Sequence, residues 1–126
     1  KFIAAIREIF LFQRALKNPT SCSQFMKFIS LSGEYLENDV LFWLEVERYK
    51  KMHRSNLSDD VVQKKANAVI NCFINCYMPP RLQIDIPQEM ANTIIASKND
   101  LSPSLFRQAQ LTLFRNMLPL WVAFRE

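Results

Sequence analysis

The 126-residue chain has a single glycine, Gly33. Glycine is the usual residue for tight turns with positive φ, and an all-β protein of this length needs many of them. Its scarcity argues against such folds and points to helices. Long apolar runs are missing as well. "IFLF", Ile9 to Phe12, is far short of a membrane span and has charges on both sides. No small-residue cleavage site follows an apolar segment near the start, so no secretory leader is expected. The chain opens on Lys1 and reads as a piece of a longer protein. There are three cysteines, Cys22, Cys72 and Cys76, and one histidine, His53. An odd cysteine number in a core-forming sequence argues against a disulfide framework and for a reduced, intracellular and cytoplasmic setting. Without a second glycine there is no glycine-rich phosphate loop.

What is present is a core. Hydrophobic residues make up 49% of the chain, enough to exclude disorder. The length suggests one domain, residues 1–126. The net charge of +4 is mild and does not imply nucleic acid.

Helical periodicity recurs along the chain. Lys1 to Lys17 reads as a helix with Phe2, Ile6, Ile9 and Leu16 near one stripe, ended by Asn18-Pro19. Ser23 reads as the N-cap of a short helix facing inward through Phe25, Phe28 and Ile29, with Gly33 as its left-handed C-terminal cap. Over Asp39 to His53, Leu41, Phe42, Val46, Tyr49 and Met52 form a stripe. Val40, Trp43 and Leu44 cover the other side of the first turns only. This predicts a helix that begins deep in the core and leaves it, with Glu45, Glu47, Arg48, Lys50 and Lys51 solvated.

Ser58 should cap a long helix whose inward stripe is Val62, Ala66, Val69, Phe73, Cys76 and Tyr77, stopped by Pro79-Pro80. Arg81 to Asp85 reads as a polar connection. Pro87 should open a shorter helix facing inward through Met90 and Ile94. Ser102-Pro103 should start a last long helix that buries Phe106, Ala109, Leu113 and Met117. Pro119 should break or kink it before a final apolar turn of Leu120, Trp121 and Phe124. The fold class is therefore all-α, an irregular helical bundle.

Catalytic and metal chemistry find little support. Cys72 and Cys76 lie one helical turn apart, the lone histidine is distant in sequence, and a zinc site needs a full ligand set. Small buried core cysteines are the plainer reading. Cys22 and His53 share no nucleophile motif. Glu45 and Glu47 fall on different helix faces. No metal or cofactor is expected, and the chain is not expected to be an enzyme. The basic cluster Arg48, Lys50, Lys51 and Arg54, with Lys64 and Lys65 nearby, could meet anionic lipid or an acidic partner. A solvated helix end is the plainer reading.

Several motifs, in order, carry a family resemblance. They are Phe25 to Phe28, Glu34-Tyr35, Asn38-Asp39, Val40-Leu41-Phe42-Trp43 and Tyr49-Lys50. "LQID", Leu82 to Asp85, follows, then "SLFRQAQLTLFRNM", Ser104 to Met117, and finally Trp121 with Phe124. The chain resembles a regulator of G-protein signalling (RGS) domain over nearly its whole length. The resemblance implies a fold of about nine helices in two lobes, a four-helix bundle and a lobe of terminal helices. It implies a monomer that binds GTP-loaded heterotrimeric G-protein α subunits and accelerates their GTP hydrolysis. A membrane-surface contact is an added expectation.

The family's contact positions fall on Asp39, with Asn38 beside it, on Gln83, with Asp85 beside it, and on Pro119, Leu120 and Ala123, read with a one-residue deletion. Asp39 and Gln83 stand where asparagine or serine is usual. Pro119, Leu120 and Ala123 stand where an Asp-Ser pair and an arginine are usual. The alternative is an RGS-fold interaction or scaffold domain with weak or no GTPase activation. A third possibility is a basic tethering domain with no α-subunit role.

Overall fold

The computed structural model describes residues 2–33, 36–76 and 81–125, with only the backbone of Phe2. Glu34-Tyr35, Tyr77 and Pro79-Pro80, assigned to a motif, an inward stripe and a helix stop, lie outside the described residues. Those described form six helices and no strand, against the expected nine or so.

α1 is Phe2–Lys17. Its core face is Phe12, Ala15 and Leu16, whereas Ile6 and Ile9 of the expected stripe are exposed. Phe12 decides the facing. Its ring meets those of Phe25, Phe114 and Trp121 at centroid distances of 5.2, 4.8 and 5.4 Å. At 3.6 residues per turn, that orientation turns Ile6 away from the core and leaves Ile9 at its edge.

α2 is Pro19–Ser30. Its N-cap is Asn18, not Ser23. Asn18 Oδ1 accepts from the Thr20 and Ser21 backbone N–H groups at 2.9 and 3.2 Å, and Pro19 takes the first helical position, where its missing N–H costs nothing. The pair Asn18-Pro19 thus starts α2 as well as ending α1. At the other end Leu31 serves as C-cap in a right-handed conformation, and Gly33 has no positive φ. Asn18→Ala should lower stability by about 1 kcal/mol, read as a drop in the thermal midpoint, while Asn18→Ser should keep most of it.

α3 is Leu36–Arg54. Val40, Phe42, Trp43, Val46 and Tyr49 are buried, and Leu41, Leu44 and Met52 are half-buried. Three charged residues expected in solvent, Glu45, Glu47 and Lys50, are partly covered, so the helix leaves the core later than expected. Tyr49 is fully buried and donates through its hydroxyl to Ser102 O at 2.9 Å. Burial and the nearby Asp100 charge push that phenol up to about 12. Glu45, Glu47 and Lys50 are half-buried, while Arg48, Lys51 and Arg54 are exposed.

α4 is Asp59–Val69, with Ser58 as N-cap through its backbone and two acidic residues in the first turn, as the helix dipole favours. Val62, Ala66 and Val69 face inward. A π-helical turn, Ile70–Ile74, continues it and buries Ile70 and Phe73. The Asn75 N–H closes that turn on Ile70 O at 2.8 Å. The helix has ended by Cys76, whose φ of 57° is left-handed and unusual for a residue with a side chain. Cys76 is half-buried rather than part of the inward stripe, and Cys72 is half-buried too; Cys22 alone of the three is buried.

α5 is Gln88–Ala96, entered through Pro87, with Ala91 and Ile94 buried and Met90 half-buried. α6 is Arg107–Arg125. It starts later than expected because Pro103 to Phe106 form a turn, in which the Ser102 hydroxyl accepts from Ser104 N–H at 3.1 Å. It also passes through Pro119 without ending. Pro119 and Arg115 are both exposed, so water can satisfy the Arg115 carbonyl that proline leaves without a donor. The last turns are held by Trp121 and Phe124 against Phe25, at ring distances of 6.2 and 5.7 Å.

The core has two apolar clusters. One joins Phe42, Val46 and Tyr49 of α3 to α4, the π turn, Ile84, Ile94, and Phe106, Ala109 and Leu113. The other joins α1 and α2 to Val40 and Trp43 of α3 and to Phe114, Met117 and Trp121 of α6. α3 and α6 thus run through both.

Candidate functional site

Arg81 to Asp85 were expected to be a polar connection. They form instead an extended segment anchored from inside. Ile84 is buried, Leu82 and Ile86 are half-buried, and Gln83 and Asp85 are exposed. This is the two-residue alternation of extended backbone. It could have been read from "LQIDI", where apolar and polar residues strictly alternate.

Three hydrogen bonds fix the segment. Leu82 N–H donates to Cys72 O in the π turn at 3.1 Å. Asn38 Nδ2 donates to Gln83 O at 3.0 Å. Asp85 N–H donates to Asp39 Oδ1 at 3.4 Å, a long bond. The first turns of α3 therefore brace the segment from one side and the π turn braces it from another. Asn38, Asp39, Gln83 and Asp85 come together here, although more than forty residues separate the two pairs.

Within this group Asp39 is distinctive. It is only 2% exposed, so its carboxylate is turned into the domain, and its influence on any partner passes through the segment it holds. Burial pushes its carboxyl up to about 7. The Asp85 N–H works against that rise, and the Asp85 carboxylate adds to it. Gln83 and Asp85 present their side chains to solvent.

Pro119, Leu120 and Ala123 lie on the last turns of α6. Pro119 and Ala123 are exposed and Leu120 is half-buried. Leu120 packs against the same apolar cluster as Leu36 and Val40 of α3, which puts the end of α6 and the start of α3 on one cluster. Among the described residues no hydrogen bond or ion pair joins this turn to Gln83 or Asp85.

The basic cluster is partly neutralised. Arg48 and Lys65 both pair with Glu45, and Lys50 pairs with Glu47. Lys51 and Arg54 remain as exposed cations. Among the described residues no three of His, Cys, Asp and Glu come together as a metal site, and no helix is long and apolar enough to cross a membrane.

A residue that sequence reasoning left unassigned is Gln110, which is buried on α6. Its Nε2 donates to Trp43 O at 3.2 Å and to Glu47 Oε2 at 2.7 Å, joining α6 to the middle of α3.

Comparison with known proteins gives a consistent result. Residues 11–118 match the family model described as Regulator of G protein signaling domain. Over all 126 residues the chain is 44% identical to Regulator of G-protein signaling 22 of Mus musculus and 45% identical to the Homo sapiens protein of that name. It spans 10% of the length of each. Over 106 residues it is 28% identical to Regulator of G-protein signaling 19 of Mus musculus, covering 84% of the chain and 45% of that protein.

Proposed function

We propose, since the chain belongs to the regulator of G-protein signalling domain family, that it docks on GTP-loaded α subunits of heterotrimeric G proteins and accelerates their GTP hydrolysis. The observation that carries this reading is the braced segment. Asn38 and Asp39 hold residues 83–85 so that Gln83 and Asp85 project beside the start of α3, at the positions the family resemblance assigns to the partner's switch segments. Pro119, Leu120 and Ala123 on α6 complete the proposed surface.

Such a surface acts without a catalytic group of its own. An α subunit carries its catalytic arginine in cis and a glutamine that orients the attacking water. The bound domain accelerates hydrolysis only through contacts that are stronger in the transition state than in the ground state. Each tenfold gain needs about 1.4 kcal/mol of that difference. A rigid segment serves this purpose, because little ordering cost is left for the moment of binding.

The side chains on this surface set a modest gain. Gln83 has amide chemistry but one methylene more than asparagine, and so more rotamer freedom to lose. Ala123 offers no cation. The test is binding to a panel of α subunits loaded with GDP, a GTP analogue, or GDP with aluminium fluoride, followed by single-turnover hydrolysis. The expected result is preference for the aluminium fluoride state, weak acceleration, and a measurable increase in rate for Gln83→Asn combined with Asp39→Asn. Equal affinity for all three states would sink the proposal, since a ligand without differential affinity shifts nothing.

A further inference from the structure

α1 has an apolar face on which none of the described residues packs. Ile3, Ile6, Ile9 and Phe10 are all exposed, Phe10 by 60%. Ile9 borders an open groove of about 420 Å³ between α1, α3 and α6. Trp43 and Phe114 line it, together with Leu111 of α6, which is 48% exposed. Lys17, Lys50 and Arg115 supply its cations.

The charges are unevenly matched. Glu47, the one acid among the groove's described residues, is held by Lys50 and Gln110, which with the Lys17 charge keep its carboxyl below the usual range despite burial. Among the described residues Arg115 has no ion-pair partner, and Lys17 makes no ion pair although its charge also acts on Glu47. α1 adds Arg7 and Arg14, while its only acid, Glu8, is taken by Arg125 and the Trp121 N–H. An apolar floor is thus rimmed by three cations against a single carboxylate, an excess of positive charge.

We propose that this groove, continued by the exposed edge of α1, is the docking site for an acidic amphipathic helix presented by a separate protein. Ile6, Ile9 and Phe10 stand at helical spacing and form a ridge beside the groove. A second helix packs on such a surface by fitting its own ridge between them. Apolar side chains of the incoming helix cover Trp43, Phe114 and Leu111, and its carboxylates meet Lys17 and Arg115. A second copy of the chain fits poorly, since it would set one basic face against another.

The probe is a short synthetic helix with leucines on one face and glutamates flanking them, fluorescein-labelled and followed by anisotropy. The chain should bind it, more weakly at high salt because exposed charges are screened. Lys17→Glu with Arg115→Glu, and separately Leu111→Ser, should each weaken binding by about tenfold or more, with the helical circular dichroism unchanged. If the charge reversal disturbs folding, the milder pair Lys17→Gln with Arg115→Gln carries the comparison. Unchanged binding in these variants, or equal binding of a scrambled peptide of the same composition, overturns the proposal. So does concentration-dependent dimerisation abolished by Leu111→Ser, which would give the face to a second copy. None of the substituted residues belongs to the surface proposed for the α subunit, so GTP hydrolysis should be unaffected.

Discussion

Trp43→Ala should destabilise the chain by about 3–5 kcal/mol, the range for removing a large buried aromatic. The ring is 5% exposed and belongs to the cluster shared by α1, α2 and α6. Few neighbours can move in to fill the space, because the aromatic side chains of α1, α2 and α6 are already in contact with one another. The backbone of Trp43 also receives the Gln110 amide, so any local shift of α3 strains a second, polar link. Urea unfolding of both proteins, compared at equal slope, gives the difference directly. A loss below about 1 kcal/mol would contradict the burial of this ring.

The second large effect is a dependence of stability on pH, set by Asp39. The carboxyl titrates near 3.8 when unperturbed and is pushed up to about 7 in the fold. Between those values the folded chain keeps a proton that the unfolded chain has released. The unfolded state binds fewer protons, so this group makes stability fall as pH rises from about 4 to about 7, by up to about 4 kcal/mol. Below that window the favourable contribution is fully present, and above it the contribution is lost. Asp39→Asn keeps an oxygen to accept the Asp85 N–H and removes the buried charge. The variant should be more stable than the parent at pH 8, by about 1–4 kcal/mol, and should lose this part of the slope. Denaturant unfolding at a series of pH values tests both statements. An unaltered slope, or a variant less stable at pH 8, would refute the assignment.

The helices of this fold were legible where large side chains recur with one period. Phe42, Val46 and Tyr49 of α3, Phe106 in the turn before α6, and Ala109, Leu113 and Met117 of α6 are buried as their spacing implied. The facing of α1 was not legible, because "IFLF" puts apolar residues on several sides and periodicity cannot rank them. The choice was made by Phe12 finding three distant rings, which is tertiary information. The cap of α2 could have been found, since an asparagine before a proline is a direct helix-start signal.

The candidate site divides in the same way. The motifs that carry the family resemblance identified Asn38, Asp39, Gln83 and Asp85, and the first and second pairs do meet in space. The inward turn of Asp39 was not visible in its neighbours along the chain. It follows from a segment forty-six residues away that covers the carboxylate and offers it one backbone donor.

The passage of α3 and α6 through both apolar clusters bears on how the molecule comes apart. An opening that frees α1 and α2 leaves both of these helices still packed at their other ends, and so does an opening that frees α4 and α5. Either event uncovers only half of each long helix. Neither long helix can detach without breaking both clusters at once, so their central turns open only with global unfolding, while the shorter helices have cheaper, separate routes. The Gln110 amide, donating to both Trp43 O and Glu47 Oε2, links the two long helices where the clusters meet. It makes them a single cooperative unit, to which the remaining helices are attached as semi-independent flaps.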